Sequence, residues 1–225
     1  MKAGRVETPG PLPCAEATVE PMLTVECAFG YREPLGSISK TFEIGSLYGI
    51  TGPNGSGKST LLSTVAGELE PLTGTIRVDY AGAKDGRADS ESVDPASKAG
   101  AGSVVRIAEP VFYPDLSVAE HLALMSRATG LDPDEVVDEW RLESLLRFPP
   151  SRLSSGQRQR FSLATQLMTP GCAFVVDEPE RHLDAAWTEY VCGNLVEKAH
   201  NGAVVLVASH SPMVLDSCDE VIELG

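Results

Sequence analysis

The run Gly52-Pro53-Asn54-Gly55-Ser56-Gly57-Lys58-Ser59-Thr60 carries residue types that suit one chemistry, the cradling of a phosphate chain. Its spacing fits G-x-x-x-x-G-K-[ST], in which glycines let the backbone turn its N–H groups inward and a helix starting at the lysine presents its positive end. Lys58 is then expected to reach the β- and γ-phosphates, and the Ser59 hydroxyl to ligate Mg²⁺. An apolar run, Leu47 to Ile50, reads as a strand before the loop, and Leu61, Leu62 and Val65 read as a helix after it. The pattern predicts a site for a nucleoside triphosphate.

Three further groups follow in order. The first is Leu153-Ser154-Ser155-Gly156-Gln157-Arg158-Gln159-Arg160. The second is the apolar run from Cys172 to Val176 that ends in Asp177-Glu178-Pro179, and the third is Ser209-His210 after the apolar run Ala203 to Ala208. Together with the glycine-rich loop, they resemble the ABC transporter ATP-binding family from about Leu23 to Gly225. The resemblance implies an α/β phosphate-loop core with a mainly parallel sheet, an antiparallel β subdomain and a small helical subdomain.

It also implies roles. Asp177 would hold Mg²⁺, Glu178 would be the general base or water-orienting group, and His210 would contact the γ-phosphate. Tyr31 stands where the family places an aromatic residue that stacks on adenine. Ser154, Ser155, Gly156 and Gln157 would bind the γ-phosphate of ATP held by a second ATPase subunit, identical or related, and Glu180-Arg181-His182-Leu183-Asp184 would run along that dimer seam. His121, His182 and His200 read as structural. Two departures stand out: Ser155 where glycine is commoner, and Glu109 where the family usually has glutamine. Glu109 can still ligate Mg²⁺, but an ionised carboxylate has no hydrogen to donate to an attacking water.

Composition sets the surroundings. A chain of 225 residues, 42% hydrophobic and 22% charged, fits one domain. The net charge of −14 argues against a phosphate-backbone partner, so no nucleic acid is expected. Neither a membrane-spanning run nor a signal peptide is evident, so the expected place is the cytoplasm, held on the inner face of the membrane through a separate permease subunit. The five cysteines lack metal-type spacing and read as reduced thiols. The expected function is an ATP-hydrolysing subunit that powers a membrane transporter. The alternative is a soluble ABC ATPase acting on nucleic acid or ribosomes.

Pro9, Pro11 and Pro13 punctuate an N-terminal stretch, residues 1–20, expected as a flexible tail before a single domain over 21–225. Strands are predicted around Leu23 to Cys27, Ile38 to Ile44 and Gly74 to Asp79. Residues 81–102 are rich in Gly, Ala, Asp and Ser and are expected to be a mobile surface insertion. The helical subdomain is expected over about 111–160, with helices starting at Ser117 and at Asp132-Pro133.

Overall fold

Two kinds of strand in this chain build two different sheets. The computed structural model describes residues 22–84, 87–109, 111–130 and 132–225, and the expected N-terminal tail lies outside them. In β1 (Met22–Gly30), Leu23, Val25, Cys27 and Phe29 are buried at every second position, the pattern of a half-buried strand. It pairs antiparallel with β2 (Pro34–Phe42) on one side and β4 (Thr73–Lys84) on the other. A fourth strand, β5 (Arg87–Val93), completes the order β2-β1-β4-β5.

The second sheet is parallel and has no such alternation. It comprises β3 (Leu47–Thr51), β6 (Val104–Ile107), β7 (Ala173–Asp177), β8 (Val204–Ala208) and β9 (Glu220–Glu223), in the order β6-β7-β8-β3-β9. Every residue of β8 is buried, because both faces of the sheet are covered. Val205 and Val207 join a core with α2 (Val118–Thr129), α3 (Pro133–Trp140), α4 (Ser155–Leu167) and α5 (Ala185–His200). Val204, Leu206 and Ala208 join the other core, with β1, β4 and α1 (Lys58–Val65). A last short helix, α6 (Pro212–Asp216), follows β8.

Local signals set the helix starts. Ser117 caps α2 in a capping box with Glu120, and Asp132 caps α3 with Pro133 in its first turn. The segment before α2 is not helical, although the helical subdomain was expected from about residue 111. There His121 holds the chain instead: its Nε2 accepts the Tyr113 N–H at 3.1 Å, which leaves Nδ1 to donate to the Ser117 carbonyl at 2.9 Å. At the other end of the subdomain α4 runs on to Leu167, past the expected boundary at 160.

Residues 81–102 contain elements that their composition did not announce. Part of the segment is a hairpin, with β4 and β5 paired from Val78↔Val93 to Lys84↔Arg87. After β5, Asp94 accepts hydrogen bonds from Ala96 and Ser97 in a turn, and Val93 is buried. Main-chain pairing needs no apolar side chains, so a composition poor in them did not reveal it. Of the cysteines expected to be reduced, Cys27, Cys192 and Cys218 are free, whereas Cys172 is disulfide-bonded.

Candidate functional site

Parallel register brings the ends of four strands to one edge of the sheet. Ile50 of β3 and Asp177 of β7 both lie opposite Ala208 of β8, and Ile107 of β6 lies opposite Val176. The loops leaving those ends carry Gly52 to Gly57, Glu109, Glu178 and His210. The crevice outside the carboxyl ends of parallel strands is where ligands bind in open α/β sheets.

Between β3 and α1 the backbone curls through left-handed conformations at Gly55 (φ 86°) and Gly57 (φ 91°). Gly57 has a second reason to be glycine, since a Cβ there would lie 2.8 Å from the Phe29 ring. It caps α1 without any side-chain hydrogen bond, so the first N–H groups of the helix remain open to an anion. Lys58 is only 8% exposed. Its Nζ donates to the carbonyls of Gly52 at 2.8 Å and Pro53 at 3.0 Å, which satisfies a buried ammonium and holds it over the loop. Ser59 is exposed and Thr60 buried.

Opposite the loop, Asp177 closes β7 and Glu178 turns sharply away at φ 46°, its N–H donating to the Ala208 carbonyl at 2.9 Å. A left-handed non-glycine residue is strained by roughly 1–3 kcal/mol, a cost that recurs at functional turns. Ser59, Glu109, Ser155, Asp177 and Glu178 line one cavity of about 530 Å³. Arg106, Arg158, Gln159, Arg181 and His182 complete its wall. Among the described residues no group of three or more His, Cys, Asp or Glu is arranged to hold a metal ion alone. That suits Mg²⁺, a hard cation usually held by one or two carboxylates together with phosphate oxygens. The oxygens of Ser59, Asp177 and Glu109 are of the right kind.

The start of α4 forms the neighbouring wall. Ser154 and Gln157 make a capping box: the Gln157 N–H donates to Ser154 Oγ at 3.2 Å, and the Ser154 N–H donates to Gln157 Oε1 at 2.9 Å. A Cβ on Gly156 would lie 2.7 Å from the His182 carbonyl oxygen, so this glycine permits close approach of the loop that follows β7. Gln159 Nε2 donates to the Pro179 carbonyl at 3.2 Å, a second tie between the two segments. A third is the Arg160 guanidinium, 4.4 Å over the Trp187 ring at the start of α5. Burial, and then nearby Arg141, hold that guanidinium below its ordinary pKa. Ser154, Gly156 and Gln157 face a smaller cavity of about 200 Å³ with Leu183 and Asp184 on its far side.

Several predicted residues lie apart from the main cavity wall, among them Gly52 to Lys58, Thr60, His210 and Tyr31. His210 is exposed just beyond β8, and Tyr31 is 73% exposed just beyond β1. Sequence reasoning also missed part of the wall. Arg106 carried no signal beyond its place in β6, and it is held by Glu68 at 2.7 Å. Arg181 and His182 sat inside the run Glu180 to Asp184, and His182 was read as merely structural. It lines both cavities at φ 66°.

The ABC transporter family matches residues 35–181. The chain is 31% identical over 196 residues to a cytochrome c biogenesis ATP-binding export protein of Bradyrhizobium diazoefficiens, covering 86% of this chain and 92% of that one. It is 31% identical over 205 residues to an ABC transporter ATP-binding/permease protein of Mycobacterium tuberculosis, covering 87% of this chain but 23% of that much longer one. A second ABC transporter ATP-binding protein from the same organism is 30% identical, and the chain spans 60% of its length. Among solved structures, an ABC transporter ATP-binding protein from Pyrococcus furiosus superposes with a TM-score of 0.73 at 26% identity, covering 91% of this chain and 98% of that one. The family match spans more than half of the chain and the fold agrees with it, so the chain belongs to the ABC transporter ATP-binding family.

Proposed function

We propose that this chain binds Mg-ATP and hydrolyses it between two ATPase subunits, and that closure of the pair on ATP drives a separate membrane permease. One observation carries the reading: Ser59, Glu109, Asp177 and Glu178 converge on a single cavity beside a helix start free of any side-chain cap. The loop amides and Lys58 would bind the phosphates, and Tyr31 would stack on the adenine. Ser59, Asp177 and Glu109 would hold Mg²⁺, whose charge offsets that of the phosphates. Glu178 would orient and deprotonate the attacking water, while His210 would contact the γ-phosphate. Ser154 to Gln157 are exposed or half-buried at the rim, as suits contact with nucleotide held by another subunit.

Support for a membrane partner is of a different kind. Val111 is 96% exposed and Tyr113 63% exposed, with Leu124 also uncovered on the helical subdomain. Exposed apolar side chains on this subdomain would suit the docking of a permease's cytoplasmic segment on the inner face of the membrane. Among the described residues, no helix is long and apolar enough to cross a bilayer.

The decisive test is Glu178→Gln. Turnover should fall about 100-fold or more, the typical share of a positioned base, while Mg-ATP binding persists and an ATP-dependent dimer accumulates on sizing chromatography. A variant that hydrolyses near the parental rate would remove Glu178 from this role. Co-purification with a polytopic membrane protein tests the partner.

A further inference from the structure

Glu180 has been placed so far only in the run expected along the dimer seam, yet it lies two residues after Glu178 and its side chain ties this loop to the end of the next strand. Its partner is Ser209, which is 0% exposed and directly precedes His210. The Ser209 hydroxyl donates its single hydrogen to Glu180 Oε1 at 2.5 Å and accepts the Ser211 N–H at 2.9 Å. Its own N–H donates to the Ile50 carbonyl at 3.2 Å. The hydroxyl is therefore a hub whose proton direction is set by the carboxylate, and the serines bracketing His210 hang from it. Charged acceptors make shorter and roughly twofold stronger bonds than neutral ones.

A second strut runs alongside, from the Glu178 N–H to the Ala208 carbonyl. The two ties join the loop carrying Glu178 and Glu180 to Ala208 and Ser209, the two residues that lead into His210. Glu180 Oε2 is buried and has no hydrogen-bond partner among the described residues, an expense that stability alone does not explain.

We propose that Glu180 is a positioning residue: through Ser209 it fixes the His210 turn relative to Glu178. This rests on the reading of His210 as the γ-phosphate contact. Misplacing a group near the reacting atoms by about 1 Å can cost 100-fold, so loss of the tie should act on turnover more than on binding.

The test compares Glu180→Ala, Glu180→Gln, Ser209→Ala and His210→Ala, together with the Glu180→Ala/His210→Ala double variant. Turnover, Mg-ATP affinity and amide hydrogen exchange at Ser211 are measured for each. Glu180→Ala should lower kcat by about tenfold to a hundredfold with affinity changed less than about threefold, and speed exchange at Ser211. Glu180→Gln keeps an oxygen that accepts the serine hydroxyl and should restore both properties most of the way. The double variant should be no slower than His210→Ala, since the two losses share one cause. Multiplying losses, or unchanged exchange at Ser211 in Glu180→Ala, would overturn the proposal. If exchange rises while His210→Ala hydrolyses at the parental rate, the positioning tie stands and the phosphate role of His210 falls instead. Should Glu180→Ala not fold, Ser209→Ala removes the same bond from the other side and is read by the same criteria.

Discussion

The phosphate loop and the start of α4 are both helix N-termini beside the same cavity, yet they are built in opposite ways. At the loop, glycines set the backbone, no side chain caps the helix, and Lys58 is buried on the loop's own carbonyls. At α4, a Ser154–Gln157 capping box closes the helix start on itself, and the flanking residues sit at the rim. The first is complete within one chain. The second offers backbone and hydroxyl groups outward, and its closest neighbour is the loop after β7. The contrast teaches that the same secondary-structure terminus becomes a binding site or a contact surface according to whether its N–H groups are already claimed.

Glycine substitutions break this contrast most sharply. Gly52 has φ 143°, and a Cβ there would lie 2.2 Å from the Leu224 carbonyl oxygen. Gly52→Ala should therefore abolish Mg-ATP binding and lower stability, with strain of order 1–3 kcal/mol and a melting temperature down by several degrees. Equilibrium nucleotide binding with thermal melting checks both, and parental affinity would show that this glycine does not shape the loop.

A smaller effect is expected on the other side of the cavity. Gly156→Ala should leave Mg-ATP affinity within about threefold but slow turnover about tenfold, equivalent to roughly 1.4 kcal/mol of barrier. The ATP-dependent dimer should weaken in parallel, because the added methyl meets the His182 carbonyl oxygen at 2.7 Å. If affinity instead fell as far as in Gly52→Ala, the two helix starts would not be as separate as their construction indicates.

The smallest effects on nucleotide binding and turnover should come from the sheet that packs on the phosphate loop, where substitutions act on stability. Val93 is buried in its core, and Val93→Ala should cost about 1.5 kcal/mol, near 0.8 kcal/mol for each buried methylene equivalent. Ser92→Ala, at the exposed position just before Val93 in β5, should change stability by less than about 0.5 kcal/mol. Urea unfolding distinguishes the two, and equal costs would mean that burial of Val93 adds nothing.

How much of this was legible depends on the range of the interactions. Ser117 and Asp132 could be read as caps because a cap bonds to an amide two or three residues on, inside a short window of sequence. Leu47 to Ile50 and Val204 to Ala208 could be read as strands because continuous burial leaves a continuous apolar run. The hairpin of β4 and β5 was missed, since its pairing is main chain to main chain and its composition suggested the opposite. Arg106, Arg181 and His182 were missed as wall residues because nothing in their local sequence says which cavity they face. Glu180 and Ser209 illustrate the same limit, being far apart in the chain and joined only across two strand ends.

The sequence by itself determined the chemistry: a loop that can only be glycine-rich, a lysine and hydroxyl after it, paired acids after an apolar strand, and a capped helix start. Those are local choices of residue type, fixed by backbone conformations that few side chains permit. Tertiary structure alone decided that these parts meet. Parallel pairing in the order β6-β7-β8-β3-β9 brings the ends of distant strands to one edge, and cores on both faces hold that register, since a one-residue slip would send every buried side chain to the wrong side.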